Sequence, residues 1–326
     1  MPTRNKMPKL HIRSKPILII SLVLLTCVTY ALLAFNPSEQ AQQSPMAKNP
    51  ITQSEYVEQN YTSFQTVSAP PLPSKPLFCG EEVAVQDPEV AERLDREFTV
   101  NSFLHGSTLL LLKKQNRYFP VIEPILKEKN IPDDVKYLCV AESGLAHVVS
   151  PAGARGFWQF MKNTAQEYGL YVDNQIDERY DIVKSTYAAC EYLLDSKKKL
   201  GTWSLAAAAY NAGNHGIQKQ LNKQQVDTYY DLLLNAETSR YVFRIVALKY
   251  ILSNPQKYGF YIPKEDLYTP FEYEEIRVSD PLVDWIEFAQ KRGISYKTLI
   301  YHNPHIRNHV WNNRLQKTIT LYLPKN

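Results

Sequence analysis

Cysteine is scarce in this chain, four in 326 residues, and the few there are fall at no useful interval. No Cys/His pair has the spacing of a zinc site, and the seven histidines are scattered, so neither a metal nor a cofactor is expected and no histidine is assigned a catalytic role. Cys79, Cys139 and Cys190 are odd in number, and the last two sit on apolar helical faces; they read as buried free thiols, not as a disulfide framework. Excess charge is lacking too. A net charge of +4 does not argue for nucleic acid as a partner. Before Glu272 no stretch alternates in the manner of a strand, which leaves a helical body.

What basic excess exists is local. Arg4, Lys6, Lys9, Arg13 and Lys15 precede any acidic residue. The run Pro16–Phe35 that follows is uncharged and about as long as a membrane-spanning helix must be. Basic residues before it, and none directly after, set the N-terminus on the cytoplasmic side. The expectation is a cytoplasmic segment at 1–15 and a transmembrane signal anchor at 16–35. The rival is a cleaved signal peptide, but no small-x-small site follows Phe35, and Thr26 before Cys27 fits a lipobox poorly. Residues 36–77, rich in Gln, Ser, Pro and Thr, read as a disordered linker.

The folded body begins near Phe78, with Asp87-Pro88 as a cap and first-turn pair. Within it, a short helix is expected after Pro132, capped by Asp133 or Asp134. Val135, Leu138, Cys139 and Glu142 then fall at i, i+3, i+4 and i+7, which sets Glu142 on an otherwise apolar face. Ser143 and Gly144 read as the helix stop. A carboxyl on a buried stripe has a raised pKa, and a raised pKa suits a general acid. The plainer alternative is a helix-end Glu leaning out to solvent or paired with an Arg.

Ser150 to Gln159, SPAGARGFWQ, describes a tight loop, in which Gly153 and Gly156 allow backbone to approach a ligand and Gln159 offers a donor and an acceptor. Val183, Tyr187, Cys190 and Leu194 form a helical stripe, and the small-residue helix WSLAAAAY ends at Tyr210-Asn211-Ala212-Gly213. Tyr241, Ile245, Leu248 and Leu252 line the buried face of a helix from about Ala236 to Ser253, where Tyr241 by itself reads as core packing. Tyrosine is by far the commonest aromatic, 22 against 12 Phe and 4 Trp. Tyrosine-rich clefts suit sugars, since a ring can stack on a sugar face while its hydroxyl bonds sugar oxygens.

Glu142-Ser143, Gly156-Phe157-Trp158-Gln159, Ala209-Tyr210-Asn211-Ala212-Gly213 and Arg240-Tyr241 occur in that order. Together they resemble the signature motifs of the soluble-lytic-transglycosylase family, ES, GLMQ, AYNAG and a late tyrosine, and within it the membrane-bound lytic murein transglycosylase D group. Phe157-Trp158 departs from the usual Leu-Met and is expected to reshape the cleft wall. The resemblance implies a lysozyme-like helical fold and cleavage of the MurNAc-β-1,4-GlcNAc bond of peptidoglycan with 1,6-anhydro-MurNAc ends. Glu142 would be the single acid/base, with Ser143, Gln159, Tyr210, Asn211, Tyr241, Phe157 and Trp158 binding substrate. The carboxylates of DNQIDERYD, Asp173, Asp177, Glu178 and Asp181, are read as a structural loop held by Arg179. A hydrolytic muramidase and a non-catalytic peptidoglycan-binding anchor are the alternatives.

The end of the chain differs in character. Ser279-Asp280-Pro281 is expected to cap a helix carrying Leu282, Ile286 and Ala289; a second short helix holds Leu299 and Ile300, and ITLYLP from Ile319 alternates as a strand. This pattern resembles the LysM module, which binds N-acetylglucosamine chains. The fold class expected is mainly α. A lysozyme-like helical catalytic domain at 78–260, its core at 131–260, is followed by a small βααβ LysM-like module at 271–326 and preceded by one N-terminal transmembrane helix. The expected partners are peptidoglycan strands and the membrane, with the catalytic domain in the periplasm of a bacterial envelope and the tail separable from it.

A reporter fused after Lys75 should therefore be active only outside the cytoplasm. Recovery of a soluble mature protein beginning near Asn36 would replace the anchor with a signal peptide.

Overall fold

The computed structural model describes residues 67–325. The basic start, the apolar run at 16–35 and the linker as far as residue 66 lie outside the described residues, and the expected anchor with them. Among the described residues, no helix is long and apolar enough to cross a membrane.

The linker reaches the folded body at a small hairpin, β1 (Leu77–Phe78) and β2 (Glu81–Glu82). Its two-residue turn, Cys79-Gly80, has positive φ at both positions, as a type I′ turn requires. Strands of two residues are too short to show alternation, which is why none was expected this early. Helix α1 (Pro88–Phe103) starts as its sequence says, with Pro88 in the first turn and the Asp87 carboxylate accepting from the Glu89 N–H at 2.8 Å. Then come α2 (His105–Glu128), α3 (Lys136–Ser143), α4 (Lys162–Glu167), α5 (Ile182–Leu200), α6 (Trp203–Ala212), α7 (Asn214–Gln224) and α8 (Thr238–Ser253).

Helix α8 is the axis of this body. Val242, Phe243, Ile245, Val246, Ala247, Leu248, Ile251 and Leu252 are all buried, so it is apolar on nearly every side and packs against α1, α3 and α6. The buried alanines Ala206 to Ala209 let α6 approach it closely. The stripe expected on α5 is shifted: Val183, Tyr187 and Leu194 are half-buried, and Ala189, Cys190 and Leu193 lie deepest. Cys79, Cys139 and Cys190 are free thiols.

The tail consists of β3 (Tyr273–Val278), β4 (Leu282–Asp284), α9 (Trp285–Lys291), α10 (Tyr296–His302), β5 (Val310–Asn312) and β6 (Ile319–Pro324). β3 pairs antiparallel with β6, Tyr273 opposite Pro324 and Val278 opposite Ile319, and β4 pairs with β5. Helix α9 begins later than its sequence suggests. Asp284 caps it, accepting from the N–H groups of Ile286 and Glu287 at 2.8 and 3.0 Å, while Leu282 sits on β4 and is 65% exposed. Both Asp280 and Asp284 satisfy the cap pattern. Burial of Val283 opposite Trp311, itself stacked on Trp285, decides for the second.

The tail is not a free appendage. Ile176, from the DNQIDERYD loop, is fully buried in the tail's own core beside Trp285, Leu299 and Ile306. The Asp177 N–H donates to the His305 carbonyl at 2.8 Å, the Arg307 N–H to the Gln175 carbonyl at 2.7 Å, and the Asn312 N–H to Gln175 Oε1 at 2.9 Å. Arg117 of α2 lies over the Phe271 ring at 4.2 Å and donates to the Thr269 carbonyl at 2.9 Å, pinning the connecting segment. This packing argues against a separable module.

Ile176→Ala should therefore cost about 2–5 kcal/mol, the range for a buried Ile truncated to Ala. Urea unfolding of the full chain measures it. An unchanged midpoint would mean that the tail does not close over Ile176.

Candidate active site

Pro132 holds the chain extended before one 3-10 turn, Asp133–Val135, leads into α3. Neither aspartate caps the helix. Asp133 Oδ2 pairs with Lys136 Nζ at 2.5 Å; Asp134 Oδ2 accepts from the Cys79 N–H at 2.6 Å and from Lys249 Nζ at 2.7 Å. The stripe itself is as the spacing says, with Val135, Leu138 and Cys139 buried and Glu142 half-buried at its end. Gly144 terminates the helix in the left-handed region, φ 60° and ψ 34°, and its N–H donates to the Val140 carbonyl at 2.9 Å.

Glu142 lines a pocket of about 190 Å³ together with Ala141, Asn211, Glu237, Arg240, Tyr241 and Arg244. The Tyr241 hydroxyl donates to Glu142 Oε1. Burial pushes the Glu142 carboxyl up to about 7; the Tyr241 hydrogen bond and the Arg244 charge pull against that, and Glu237 adds to it. The sidedness of α8 explains the rest of the lining. Glu237, Arg240, Tyr241 and Arg244 fall at i, i+3, i+4 and i+7, one helical face, a period that the sequence carries beyond the Arg240-Tyr241 pair. Arg240 is oriented by a buried carboxylate, its Nε donating to Glu97 Oε1 at 2.7 Å.

Asn211 reaches the pocket from the end of α6. Its Nδ2 donates to Glu237 Oε1 at 3.2 Å and its Oδ1 accepts from Thr238 Oγ1 at 2.7 Å, so it ties the end of α6 to the start of α8. The far end of α6 is set by the hairpin: Glu81 accepts from the N–H groups of Trp203 and Ser204 at 2.6 and 3.0 Å.

Other expected site residues support the pocket without lining it. Ser143 Oγ donates back to the Cys139 carbonyl at 3.3 Å. Tyr210 donates to the Trp158 carbonyl at 2.7 Å, and burial, with the nearby Glu142 charge, pushes its pKa well up. Gln159, at φ 51°, spends its Nε2 on the carbonyls of Val148 and Gly156 at 3.1 and 2.7 Å. Trp158 corrects the expectation of a cleft wall. It is fully buried, and its indole N–H donates to Thr186 Oγ1 at 2.8 Å. Phe157 is buried as well, edge-on to Tyr118 and His147 at 4.8 and 4.7 Å between ring centroids.

The glycine loop also differs from expectation in one respect. A Cβ on Gly156 would lie 1.8 Å from the Arg179 carbonyl oxygen, so this glycine makes room for the chain's own backbone. The side chain of Arg179 holds the same loop, donating through Nη1 to the carbonyls of Gly153 and Phe160 at 3.3 and 3.2 Å. Its Nε and Nη2 are bidentate on Asp177 at 2.9 and 2.7 Å. Glu178 accepts from the Tyr171 N–H at 2.8 Å, and Asp181 caps α5, which makes this loop structural as its composition suggested. Among the described residues, no group of three or more His, Cys, Asp and Glu is placed to hold a metal.

Comparison with known proteins agrees with the motifs. The transglycosylase SLT domain family matches residues 119–232, and the soluble lytic transglycosylase C-terminal LysM-like domain family matches residues 274–326. Over 231 residues the chain is 31% identical to membrane-bound lytic murein transglycosylase D of Escherichia coli (strain K12), which takes in 68% of this chain and 50% of that protein. The same values hold for the protein of that name from Escherichia coli O6:H1. A protein of Alteromonas sp. (strain M-1) named for tributyltin chloride resistance is 27% identical over 151 residues, 44% of this chain and 73% of its own length. The chain spans about half the length of the two murein transglycosylases it matches.

The raised pKa of Glu142 makes a stability prediction with a definite sign. Between the unfolded value of 4.5 and the folded value of about 7, the native protein holds a proton that the unfolded chain has released. Wild-type stability should fall as pH rises through that window, by at most about 3 kcal/mol from this group. Glu142→Gln removes the titration, so its stability relative to wild type should improve from pH 5 to pH 8 in paired urea melts. A constant difference across that range would show that Glu142 titrates normally.

Proposed function

With an SLT transglycosylase domain at 119–232 and a LysM-like domain at 274–326, we propose that this chain is a peptidoglycan lytic transglycosylase that uses Glu142 as its single acid/base. The carrying observation is the pocket itself, where one carboxyl with a pKa near neutrality receives a tyrosine hydrogen bond. The bond cleaved is the β-1,4 link between MurNAc and GlcNAc. Protonated Glu142 gives its proton to the glycosidic oxygen as the C1–O bond breaks, and the GlcNAc 4-hydroxyl leaves. The resulting carboxylate takes the proton of the muramic acid 6-hydroxyl as that oxygen bonds C1. No water is consumed, and the internal nucleophile has the proximity advantage of an intramolecular reaction.

The same group must serve first as acid and then as base, which a pKa near the working pH allows. Tyr241 and Arg244 favour the carboxylate form of Glu142, the form needed in the second step. Asn211 and Tyr241 line the place where the sugar lies; Gln159 and Tyr210 act through the loop they hold. Substrate and envelope location go together: the apolar run at 16–35 would anchor the chain and leave the catalytic domain in the periplasm.

One observation favours a second reading. Glu237 is another carboxylate on the same pocket, and two-carboxylate sites hydrolyse glycosides. Its Oε1 accepts from Asn211 Nδ2 at 3.2 Å, which suits an orienting role better than activation of water. The products separate the two readings. Lytic cleavage of purified sacculi releases 1,6-anhydro-MurNAc ends, each lighter by one water than a reducing end, as read by mass spectrometry. Reducing ends alone would make the chain a muramidase.

Glu142→Gln should lose at least about 10²–10⁴-fold in turnover, the usual worth of general acid–base catalysis. Wild-type activity should decline as pH rises above about 7, where the acid form is lost. Tyr241→Phe removes a hydrogen bond that holds the pKa down, so its alkaline limb should move to higher pH. A limb that stays in place would detach Tyr241 from the titration of Glu142.

A further inference from the structure

Helix α8 brings two guanidiniums to the pocket of Glu142, those of Arg240 and Arg244, one turn apart on the same face. Arg240 is not an ordinary surface arginine. Glu97 of α1 is 1% exposed, and its Oε1 accepts from Arg240 Nε at 2.7 Å and from Arg96 Nη1. A buried carboxylate gripped in this way fixes the plane of the Arg240 guanidinium. Arg96 answers the charge of Glu97, so the charge of Arg240 is not cancelled there. The bond to Glu97 occupies only Nε. Among the described residues, Nη1 and Nη2 of Arg240 have no hydrogen-bond partner, and Arg244 is exposed and forms no ion pair. With Glu142 protonated, the pocket wall bears two positive charges against one negative, that of Glu237, whose Oε1 accepts from Asn211. Glu97, Arg240 and Arg244 all lie outside the SLT match at 119–232, which therefore assigns them nothing.

We propose that Arg240, aimed by Glu97, and Arg244 form a carboxylate subsite beside Glu142 that takes the acidic substituent on C3 of the muramic acid being cleaved. The proposal rests on the glycan-cleaving reading above. MurNAc differs from GlcNAc by a lactyl ether at C3. On a bare strand that ether ends in a free carboxylate; on a substituted strand it leads into an acidic peptide. Either source presents a planar pair of oxygens, and the open Nη edge of a guanidinium matches such a pair at two points. A bound carboxylate also offsets the Arg244 charge, which pulls the Glu142 pKa down. An occupied subsite thus leaves more of Glu142 in the acid form that the first step needs. Glu97 touches no sugar in this arrangement; it is a positioning residue that acts through Arg240.

The disaccharide GlcNAc-β-1,4-MurNAc contains muramic acid but not the linkage that is cleaved, so it is a probe that is not consumed. Three forms are titrated calorimetrically into the full chain at low ionic strength. One has a free lactyl carboxylate, one has that carboxyl as its neutral methylamide, and one carries the dipeptide L-Ala-D-Glu. At least one of the two anionic forms should bind about tenfold more tightly than the methylamide, and the form that does so identifies the source of the carboxylate. Arg240→Gln should bring this ratio close to one. Arg240→Lys, which keeps the charge without the fork, should recover only part of it. Arg244→Gln alters an exposed residue with no ion pair, leaves the fold intact, and should lower the ratio as well. Glu97→Gln should lower it through the aim of Arg240, and an undiminished ratio there would overturn the positioning role. No binding of any form, equal affinity for all three, or a full ratio in both Arg240→Gln and Arg244→Gln would overturn the subsite. Digestion of sacculi by the wild type is scored separately. Cleavage without a carboxylate preference removes the subsite and leaves the enzyme; a preference lost in Arg240→Gln, without cleavage, keeps the subsite and removes the enzyme.

Discussion

The ion pair of Asp177 with Arg179 is the constraint on which both halves of the structure depend. Both residues are buried, and the guanidinium grips the carboxylate at two points. Removing one partner of such a pair leaves a buried charge unanswered, typically at about 3–5 kcal/mol. Here the pair also carries traffic in two directions. Toward the tail, the Asp177 N–H meets the His305 carbonyl, one residue beyond Ile176 in its apolar slot. Toward the pocket, Arg179 Nη1 gathers the carbonyls of Gly153 and Phe160, while its own carbonyl leaves Gly156 no room for a side chain. The loop held in this way contains Trp158 and Gln159, and Tyr210 of α6 closes on it. The tail and the loop beside the pocket thus share one anchor.

Much of the site was legible because it lies on helices, where spacing specifies a face. Glu142 ends the stripe begun by Val135, and Tyr241 opens the one that runs to Leu252; both hold in the structure. Arg240 and Arg244 were equally readable by period, but charged residues beside a buried stripe look like an ordinary solvated edge until a pocket lies under them. Other features were not readable at any price. Glu81 caps a helix more than a hundred residues away, and Asp134 binds the hairpin in place of its own helix. Trp158 illustrates the limit of a motif: position in the signature suggested a cleft wall, while the volume and single N–H of an indole are better satisfied in the core against Thr186. The docking of the tail was hidden for a related reason. Ile176 is one apolar residue in a charged loop, too little to signal an interface by composition.

The electrostatics of the pocket follow from an opposition between two kinds of residue. An apolar stripe alone would push the Glu142 pKa further up and leave a weaker acid. Tyr241 and Arg244 supply the counterweight on the carboxylate form, and Glu237 partly offsets them. The outcome, a value of about 7, is what a group needs if it must release a proton and recover one within a single turnover. Tyr241 and Arg244 sit on one face of α8 and Glu237 directly precedes it, so the packing of α8 against α3 sets distance and charge balance at once.

The same economy of contacts gives the seam between helical body and tail its rigidity. The Ile176 slot, the Asp177–His305 hydrogen bond and Arg117 over Phe271 supply that rigidity between α2, the loop and the tail. A surface built in this way is in place beforehand and does not have to be assembled by docking two bodies. The contacts that dock the tail run through Asp177, and through its ion pair they also position Arg179 and the loop beside the pocket.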